Sequence, residues 1–373
     1  MNVKQKETVS PIRVIKYAGA YIAFEIGSGF ATGQEILQFY TSYGIYSIGA
    51  ALISMALFAW VGSTLMEAGW RQGGLSSGSA VEKPYQRLCG RVVGTFFEYF
   101  VICYLFAVLA VMVSGAGASI QAYFGVPYYI GGLLMALLVF LAFAFGLSRL
   151  IDLVGAMGPL IIGFTIFVAL CSIFSSKGVS QGFFDDAGVA GLRDMRPAGQ
   201  WWMSGILYVA YNIVSSVAFL MALGRDASSA REARAGGILG GVMLMVTVIF
   251  MDLALGLHLE DAAGSVVPAL ELAKAVSPAV AVIFVGVMLL GIFSTAAPML
   301  WTICDSLAKP GKGALILALL ISLDSLILGQ LPFDRLVGAI YPYTGYLGMV
   351  LLACLARYRL RRRKWNDANG GER

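Results

Sequence analysis

The sequence feature that most constrains the fold is an interruption in the first long apolar stretch, Val14 to Tyr40. The middle of this stretch reads Glu25-Ile26-Gly27-Ser28-Gly29, a carboxylate followed by two glycines in a segment long enough to cross a membrane. Glycine weakens a helix, and backbone groups freed at bilayer depth are tolerated only where they line a protein-enclosed cavity. The sequence therefore predicts a discontinuous membrane helix here, and such helices are typical binding elements of secondary transporters.

Composition places the whole chain in a lipid bilayer. Of its 373 residues, 59% are hydrophobic and 13% are charged, and the mean hydropathy is +0.80. A membrane span needs about 20 mostly apolar residues. On this basis the sequence predicts ten spans, at 14–40, 44–69, 92–122, 128–147, 150–175, 201–223, 236–257, 278–304, 313–329 and 333–356. The first apolar run is too long for a cleavable signal, so we expect it to remain on the mature protein.

The basic residues predict the orientation. With both termini in the cytoplasm, 21 of the 26 lysines and arginines fall on the cytoplasmic side, as the positive-inside rule requires. We therefore expect a multi-pass protein of the bacterial plasma (inner) membrane. The basic tail, 357–373, is interpreted as a segment that rests on anionic headgroups, so the net charge of +5 calls for no nucleic acid. The five scattered cysteines imply neither a disulfide framework nor a zinc site.

A glycine-rich outer connector, 176–200, divides the single transmembrane domain (1–373) into two halves of five spans, 13–175 and 201–356. An odd number of spans per half gives the halves opposite orientations, which is the condition for an inverted repeat. Span 6, the counterpart of span 1, has Tyr211-Asn212 and Ser215-Ser216 at its centre but no glycine pair. We expect it to be discontinuous as well; the alternative is a continuous helix that packs through these polar side chains.

Two further segments bear on the site. Span 8 contains Ser294-Thr295, at a depth similar to Glu25, although such hydroxyls often only bond a carbonyl of their own helix. The outer segment from Ala262 to Val276 is too short to span and is either an amphipathic helix over the outer mouth or a plain loop. Among the other intramembrane acids, Asp252 is the best candidate for a place on a proton path.

The pattern Gly27-Ser-Gly-Phe-Ala-Thr-Gly-Gln-Glu35, the ten spans and the hydroxyl pair of span 8 resemble the amino acid–polyamine–organocation superfamily, which has the LeuT-type fold. The stretch from Phe24 to Phe39 is most similar to the YkvI-type bacterial membrane proteins. In topology the resemblance extends over the whole chain, whereas matching motifs are confined to spans 1, 6 and 8. It implies an all-α polytopic membrane protein with ten helices in a five-plus-five inverted repeat, helices 1 and 6 being discontinuous.

The resemblance also implies a coupling-ion site. In sodium-coupled members, one sodium ion lies between the unwound part of span 1 and span 8, held by three carbonyls and two adjacent hydroxyls. Matching the motifs gives the carbonyls of Ala23, Ile26 and Gly291 and the hydroxyls of Ser294 and Thr295. Proton-coupled relatives have a lysine of span 5 at this place, and span 5 of this chain contains none, which favours sodium. No other cofactor is expected.

A substrate site beside the break is implied in the same way. Backbone amides after the break would hold a carboxylate at the positive end of a half-helix, and span 6 would form the facing wall. Tyr104 matches a gating tyrosine by position, or it simply packs between helices. The predicted substrate-binding residues are Glu25, Gly27, Ser28, Gly29, Tyr104, Tyr211, Asn212 and Ser215.

Glu25 departs from the family pattern. A carboxylate at the bilayer centre costs roughly 2.5–3.5 kcal/mol, so it should face the bundle interior with a partner. It would hold a substrate ammonium group, ligate the cation or take the coupling proton. Backbone amides that bind a carboxylate, together with Glu25 that binds an ammonium group, suit a small amino acid or an amino-acid-like solute.

The sequence thus favours a cation-coupled symporter that works by alternating access, and it argues against an enzyme. His258 is the only histidine, and no HExxH or serine–histidine arrangement is present for an intramembrane protease. A channel shares the polar midplane residues but not the broken helices of an inverted repeat. A receptor that senses an amino acid on a transporter scaffold remains the other alternative.

Overall fold

The computed structural model describes residues 9–73, 83–145, 147–175 and 188–368, without the side chains of 147–156 and 363–368. Within these ranges the regular structure is entirely helical. Three parts of the predicted loops lie outside the described residues: 74–82 of the inner loop, 176–187 of the outer connector, and the end of the basic tail.

The helices follow the predicted spans closely. Their bounds are α1 Pro11–Glu25, α2 Ser28–Thr32, α3 Gln34–Phe39, α4 Ser47–Gly73, α5 Pro84–Cys89, α6 Arg91–Phe124, α7 Tyr128–Phe145, α8 Leu147–Ser175, α9 Trp201–Arg225, α10 Ala230–Leu257, α11 Leu259–Ala263, α12 Pro268–Val276, α13 Pro278–Leu307, α14 Lys312–Leu328 and α15 Phe333–Ala368. Among the described residues, eight segments are long and apolar enough to cross a membrane. The other two predicted spans are span 1, which is divided, and span 9, whose helix α14 has 17 residues. The count of ten crossings stays a prediction.

The predicted break in span 1 is present. Helix α1 ends at Glu25, and the next two residues are extended, with ψ of 93° at Ile26 and of −169° at Gly27. The amide of Gly27 donates to the carbonyl of Glu25 at 3.1 Å instead of to that of Ala23, which a continuous helix would require. The break therefore leaves the Ala23 carbonyl without its helical donor in the middle of the span.

A second interruption follows at Gly33, which the sequence reasoning did not predict. Gly33 has φ of +81° and ψ of −2°, a left-handed conformation that separates α2 from α3. A Cβ atom at this position would lie 3.0 Å from the backbone nitrogen of Ala269 in α12. The outer segment thus contains two short helices, α11 and α12, and α12 rests directly on the outer half of span 1.

The prediction that span 6 is discontinuous is wrong. Helix α9 runs from Trp201 to Arg225 without a break. Its central polar side chains bond the helix's own carbonyls: the Asn212 amide donates to Tyr208 O at 2.9 Å, and the Ser215 and Ser216 hydroxyls donate to Asn212 O at 3.1 and 3.0 Å. Because these groups are satisfied inside the helix and no glycine pair weakens it, nothing favours unwinding.

The helix packing places the break at the centre of the bundle. Helix α4 packs against α9 and α10, α1 packs against α10, and α6 packs against α13. Span 1 therefore packs against span 7, and span 2 packs against span 6. Because spans 6 and 7 are the counterparts of spans 1 and 2, exchanging the two halves converts one of these pairs into the other. This is the pattern that the predicted five-plus-five repeat requires, although its boundaries stay a prediction.

The contact of α4 with α9 is made backbone to backbone through two glycines. A Cβ atom on Gly69 would lie 1.9 Å from the carbonyl oxygen of Met221, and one on Gly224 would lie 1.9 Å from that of Met66. Membrane helices use small residues to approach this closely, because packing rather than hydrophobicity drives their association in lipid.

Gly69→Ala and Gly224→Ala are therefore expected to lower the melting temperature in detergent, at a cost of about 1–3 kcal/mol each, because the added methyl group forces the helices apart. Gly286→Ala is the matched control, since it lies inside α13 with no atom within 4 Å of its Cβ position. The tight α4–α9 contact is contradicted if all three variants melt at the wild-type temperature.

Candidate functional site

Most of the predicted substrate-binding residues line one cavity at the break in span 1. Its free volume is about 20 Å³, enough for about one water molecule. The predicted residues that line it are Glu25, Gly27, Tyr104, Tyr211, Asn212 and Ser215. The other lining residues are Phe24, Glu35, Val108, Met112, Thr295, Met299 and Tyr341. In this conformation the free volume is too small for a solute larger than water, so such a solute fits only after the surrounding side chains or helices move apart.

Glu25 is the charged group that the break exposes to this cavity. It is the last residue of α1, only 7% of its surface is accessible, and its Oε1 atom has no hydrogen-bond partner among the described residues. The side chain of Ser216 lies beside the carboxylate. A buried carboxylate with an unpartnered oxygen needs a cation, a proton or an ammonium group to offset its desolvation.

Glu35 is a second carboxylate of the cavity, and sequence reasoning missed its role. The hydroxyl of Tyr211 donates to Glu35 Oε2 at 2.7 Å, and the backbone amide of Phe30 also faces this carboxylate. A Cβ atom on Gly29 would lie 2.1 Å from Glu35 Oε1, so the side chain folds back over the start of α2. The sequence feature that could have indicated this role is the polar stretch at residues 33–35, which lies in the outer half of a largely apolar span.

Two predicted residues, Ser28 and Gly29, lie beside the cavity without lining it. The Ser28 amide donates to Met112 Sδ at 3.1 Å, and its hydroxyl donates to Val111 O at 3.2 Å. Gly29 is covered by the side chain of Glu35. In this conformation, two of the three amides predicted for a substrate carboxylate, those of Gly27 and Ser28, are therefore engaged within the protein.

The predicted ion-binding residues come together where α13 crosses the break. The hydroxyl of Thr295 donates to Ile26 O at 2.5 Å and approaches Gly291 O at 3.4 Å, and the Ser294 hydroxyl donates to Gly291 O at 2.8 Å. All of these residues except Gly291 are at most 2% exposed, as is Ala23. Hydroxyl and carbonyl oxygens in a dry pocket are the ligand set that hard cations prefer.

A wide vestibule lies above this cavity, on the side of the bundle that the sequence predicts to be outside. Its volume is about 840 Å³, and its lining includes three carboxylates, those of Asp261, Glu271 and Asp334. Phe333 is one of the lining residues and is 1% exposed. Its ring packs against α6 at the same place where the side chain of Ser28 packs. The ring of Phe333 therefore lies between the acidic vestibule and the start of α2. Glu271 is paired with Lys274 at 3.2 Å, so the charges of Asp261 and Asp334 are the ones that favour the approach of cations.

The comparisons with known proteins agree with this architecture. No family model matches the chain. Over 355 residues the chain is 27% identical to the membrane protein YkvI of Bacillus subtilis, with 93% of this chain and 96% of YkvI covered. Over 347 residues it is 22% identical to the protein YyaD of the same organism, with 89% and 93% covered.

Solved transporter structures share the fold. An inward-facing structure of Mhp1 matches 96% of this chain and 78% of its own, with a TM-score of 0.56 and 15% identity. A manganese transporter of Eremococcus coleocola matches 95% and 79%, with a TM-score of 0.52 and 15% identity. A Na⁺-coupled sialic acid symporter matches 93% and 87%, with a TM-score of 0.52 and 14% identity.

The chain is thus a multi-pass, all-α membrane protein with the LeuT-type fold. Within that fold, it is similar over nearly its whole length to YkvI, and the resemblance predicted from residues 24–39 is confirmed.

Proposed function

We propose that this protein is a cation-coupled secondary transporter for a small solute that carries an ammonium group, an amino acid or an amino-acid-like compound. The observation that carries the proposal is the break in span 1. It places a buried carboxylate with an unpartnered oxygen, Glu25, in an enclosed cavity beside the oxygen cluster of Ile26, Gly291, Ser294 and Thr295. A fold shared with transporters and a closed central pocket below an open vestibule support alternating access.

Sodium is the proposed coupling ion. The carbonyl and hydroxyl oxygens between α1 and α13 suit a hard monovalent cation. Thr295 now donates its proton to the carbonyl of Ile26, and an ion that entered between these oxygens would replace that hydrogen bond. Span 5, α8, contains no lysine to take the ion's place.

Glu25 is the proposed partner of the solute's ammonium group. The amides of Gly27, Ser28 and Gly29 are the proposed partners of its carboxylate. In the closed pocket, the Ser28 amide is bonded to a methionine sulfur, which is a weak acceptor, so a carboxylate that enters the opened pocket can displace it. Tyr211 and Asn212 on α9 form the facing wall.

The proposed location is the bacterial plasma membrane with both termini in the cytoplasm, as the distribution of basic residues predicts. In this orientation the acidic vestibule faces the outside. A solute and its cation would then enter from the external medium through a compartment of complementary charge.

The test is counterflow in proteoliposomes, after a thermal-shift screen of amino acids and amines with and without sodium. We expect a solute that stabilises the purified protein in sodium to be exchanged across the membrane, with saturation and with acceleration by a sodium gradient. Saturable binding without counterflow would identify a sensor instead, and flux without saturation would identify a channel.

A further inference from the structure

A second buried carboxylate with an unpartnered oxygen lies well away from the central cavity, in the outer part of the bundle. Asp252 of α10 is fully buried, and its Oδ1 atom accepts a hydrogen bond from the Thr41 hydroxyl at 2.7 Å. Its Oδ2 atom is buried with no hydrogen-bond partner among the described residues. Thr41 begins the short 3-10 helix, Thr41–Tyr46, that joins span 1 to α4.

Ser47, the first residue of α4, completes the cluster. Its side chain lies beside Asp252, it is fully buried, and its Oγ atom also lacks a hydrogen-bond partner among the described residues. The carbonyl of Ile36 is close by as well, 3.3 Å from the oxygen of the Thr41 hydroxyl, whose proton is donated to Asp252. The side chains of Asp252, Thr41 and Ser47 and the Ile36 carbonyl therefore lie close together where α3, α4, α10 and the 3-10 helix meet.

The charge of Asp252 has no protein partner in the structure described. None of the ion pairs found among the described residues includes it. Tyr40, the nearby aromatic, donates its own hydroxyl to Ser54 at 2.8 Å. Because a charged carboxylate inside a membrane bundle is costly without a counter-charge, this cluster must take up a cation or a proton.

The geometry favours a cation. A proton held between a carboxylate and a hydroxyl makes a short, well-aligned hydrogen bond. Asp252 Oδ2 and Ser47 Oγ are neighbours that lack a well-formed hydrogen bond among the described residues. Two buried oxygens held next to each other in this way suit a ligand that contacts both, and one carboxylate with neutral oxygens suits a single positive charge.

We propose that Asp252, Thr41 and Ser47 form a second binding site for a monovalent cation, sodium. The site shares no residue with the cluster between α1 and α13. It lies at the outer end of span 1, beyond the second interruption at Gly33, whereas Ile26 lies at the first break. Because its ligands come from the outer end of span 1, from α4 and from α10, an ion here ties the outer half of span 1 to the bundle.

The experiment is equilibrium binding of radioactive sodium to the full chain in lipid nanodiscs at constant ionic strength. We expect two ions per wild-type protein and one in Asp252→Asn. Ser47→Ala is the sharper variant, because the Ser47 hydroxyl makes no well-formed hydrogen bond among the described residues, so the change should cost little folding stability. It is expected to weaken one of the two binding events about 10-fold to 100-fold.

Asp324→Asn is the matched control, an aspartate of α14 that is exposed at the surface of the bundle, and it should bind two ions. The double variant Ser294→Ala with Thr295→Ala separates the two sites: it should keep the ion that depends on Ser47. The proposal is wrong if Asp252→Asn and Ser47→Ala bind sodium as the wild type does. It is also wrong if the wild type binds no sodium, or if the wild type binds one ion and only the Ser294/Thr295 variant loses it. A proton at Asp252 would appear as unchanged sodium binding with altered proton uptake, which also overturns it.

Discussion

Replacing Glu25 with glutamine should reduce binding and uptake of the solute by at least about 100-fold. The reason is that glutamine removes the charge of a carboxylate that has one oxygen without a hydrogen-bond partner among the described residues, while it keeps the size of the side chain. Loss of one partner of a buried ion pair costs about 3–5 kcal/mol, which corresponds to two to three orders of magnitude in affinity. The measurement is solute affinity by thermal shift, together with the initial uptake rate in proteoliposomes.

Glu98→Gln is the control for this experiment. Glu98 also lies in a membrane-spanning helix, α6, but outside the cavity, where it accepts the backbone amide of Tyr85 at 3.1 Å. Glutamine keeps an oxygen acceptor for that amide, so transport should stay near the wild-type rate. Equal transport by wild type and Glu25→Gln would remove Glu25 from the substrate site.

The double replacement Ser294→Ala with Thr295→Ala should abolish the sodium dependence of uptake. It removes two of the five proposed oxygen ligands, including the hydroxyl that touches Ile26 O across the break. Changes around a bound metal ion typically weaken its affinity about 10-fold to 100-fold, and direct loss of two ligands should reach the upper end of that range. Initial uptake rates against sodium concentration, at constant ionic strength, give the result.

Two variants make this test specific. Thr295→Ser keeps the hydroxyl and should keep sodium activation. Thr302→Ala removes another hydroxyl of α13, one that is exposed and bonds only Pro298 O at 2.8 Å, and it should transport normally. If uptake by the wild type is driven by a proton gradient and indifferent to sodium, the ion assignment is wrong and Glu25 becomes the proton carrier.

The break in span 1 was predictable because its causes are local. Two glycines after a carboxylate in the middle of an apolar stretch weaken the helix whatever packs around it. The proximity of Ser294 and Thr295 to Ile26 was expected from depth along spans 1 and 8 together with the family resemblance. The structure brings Thr295 into contact with Ile26, whereas Ser294 bonds Gly291 of its own helix.

Span 6 shows what a local pattern cannot decide. Ser215, Ser216 and Asn212 look alike in sequence whether they line an unwound segment or bond their own helix. Here they bond carbonyls three and four residues earlier, and the helix continues. The absence of a glycine pair was the better indicator, because backbone weakness, rather than side-chain polarity, is what ends a membrane helix at mid-depth.

Glu35 was missed for a different reason. Its carboxylate reaches the cavity only because Gly33 turns the chain and because Gly29 leaves room for the side chain to fold back. Both conditions depend on the three-dimensional path of the chain. Asp252 was recognised as an unusual acid, but its two hydroxyl neighbours, Thr41 and Ser47, lie at the starts of the 3-10 helix and of α4, and no periodicity predicts that these ends meet it.

Because Gly33 packs directly on α12, a label attached to this outer helix is expected to report gating. A Cβ atom on Gly33 would lie 3.0 Å from the backbone of Ala269, so the upper part of the first span packs directly on the Pro268–Val276 segment, and a tilt of the span is expected to move that segment. A spin label or fluorophore on the accessible face of that segment would record each opening and closing of the pathway from outside the membrane, with the transport machinery itself left chemically untouched.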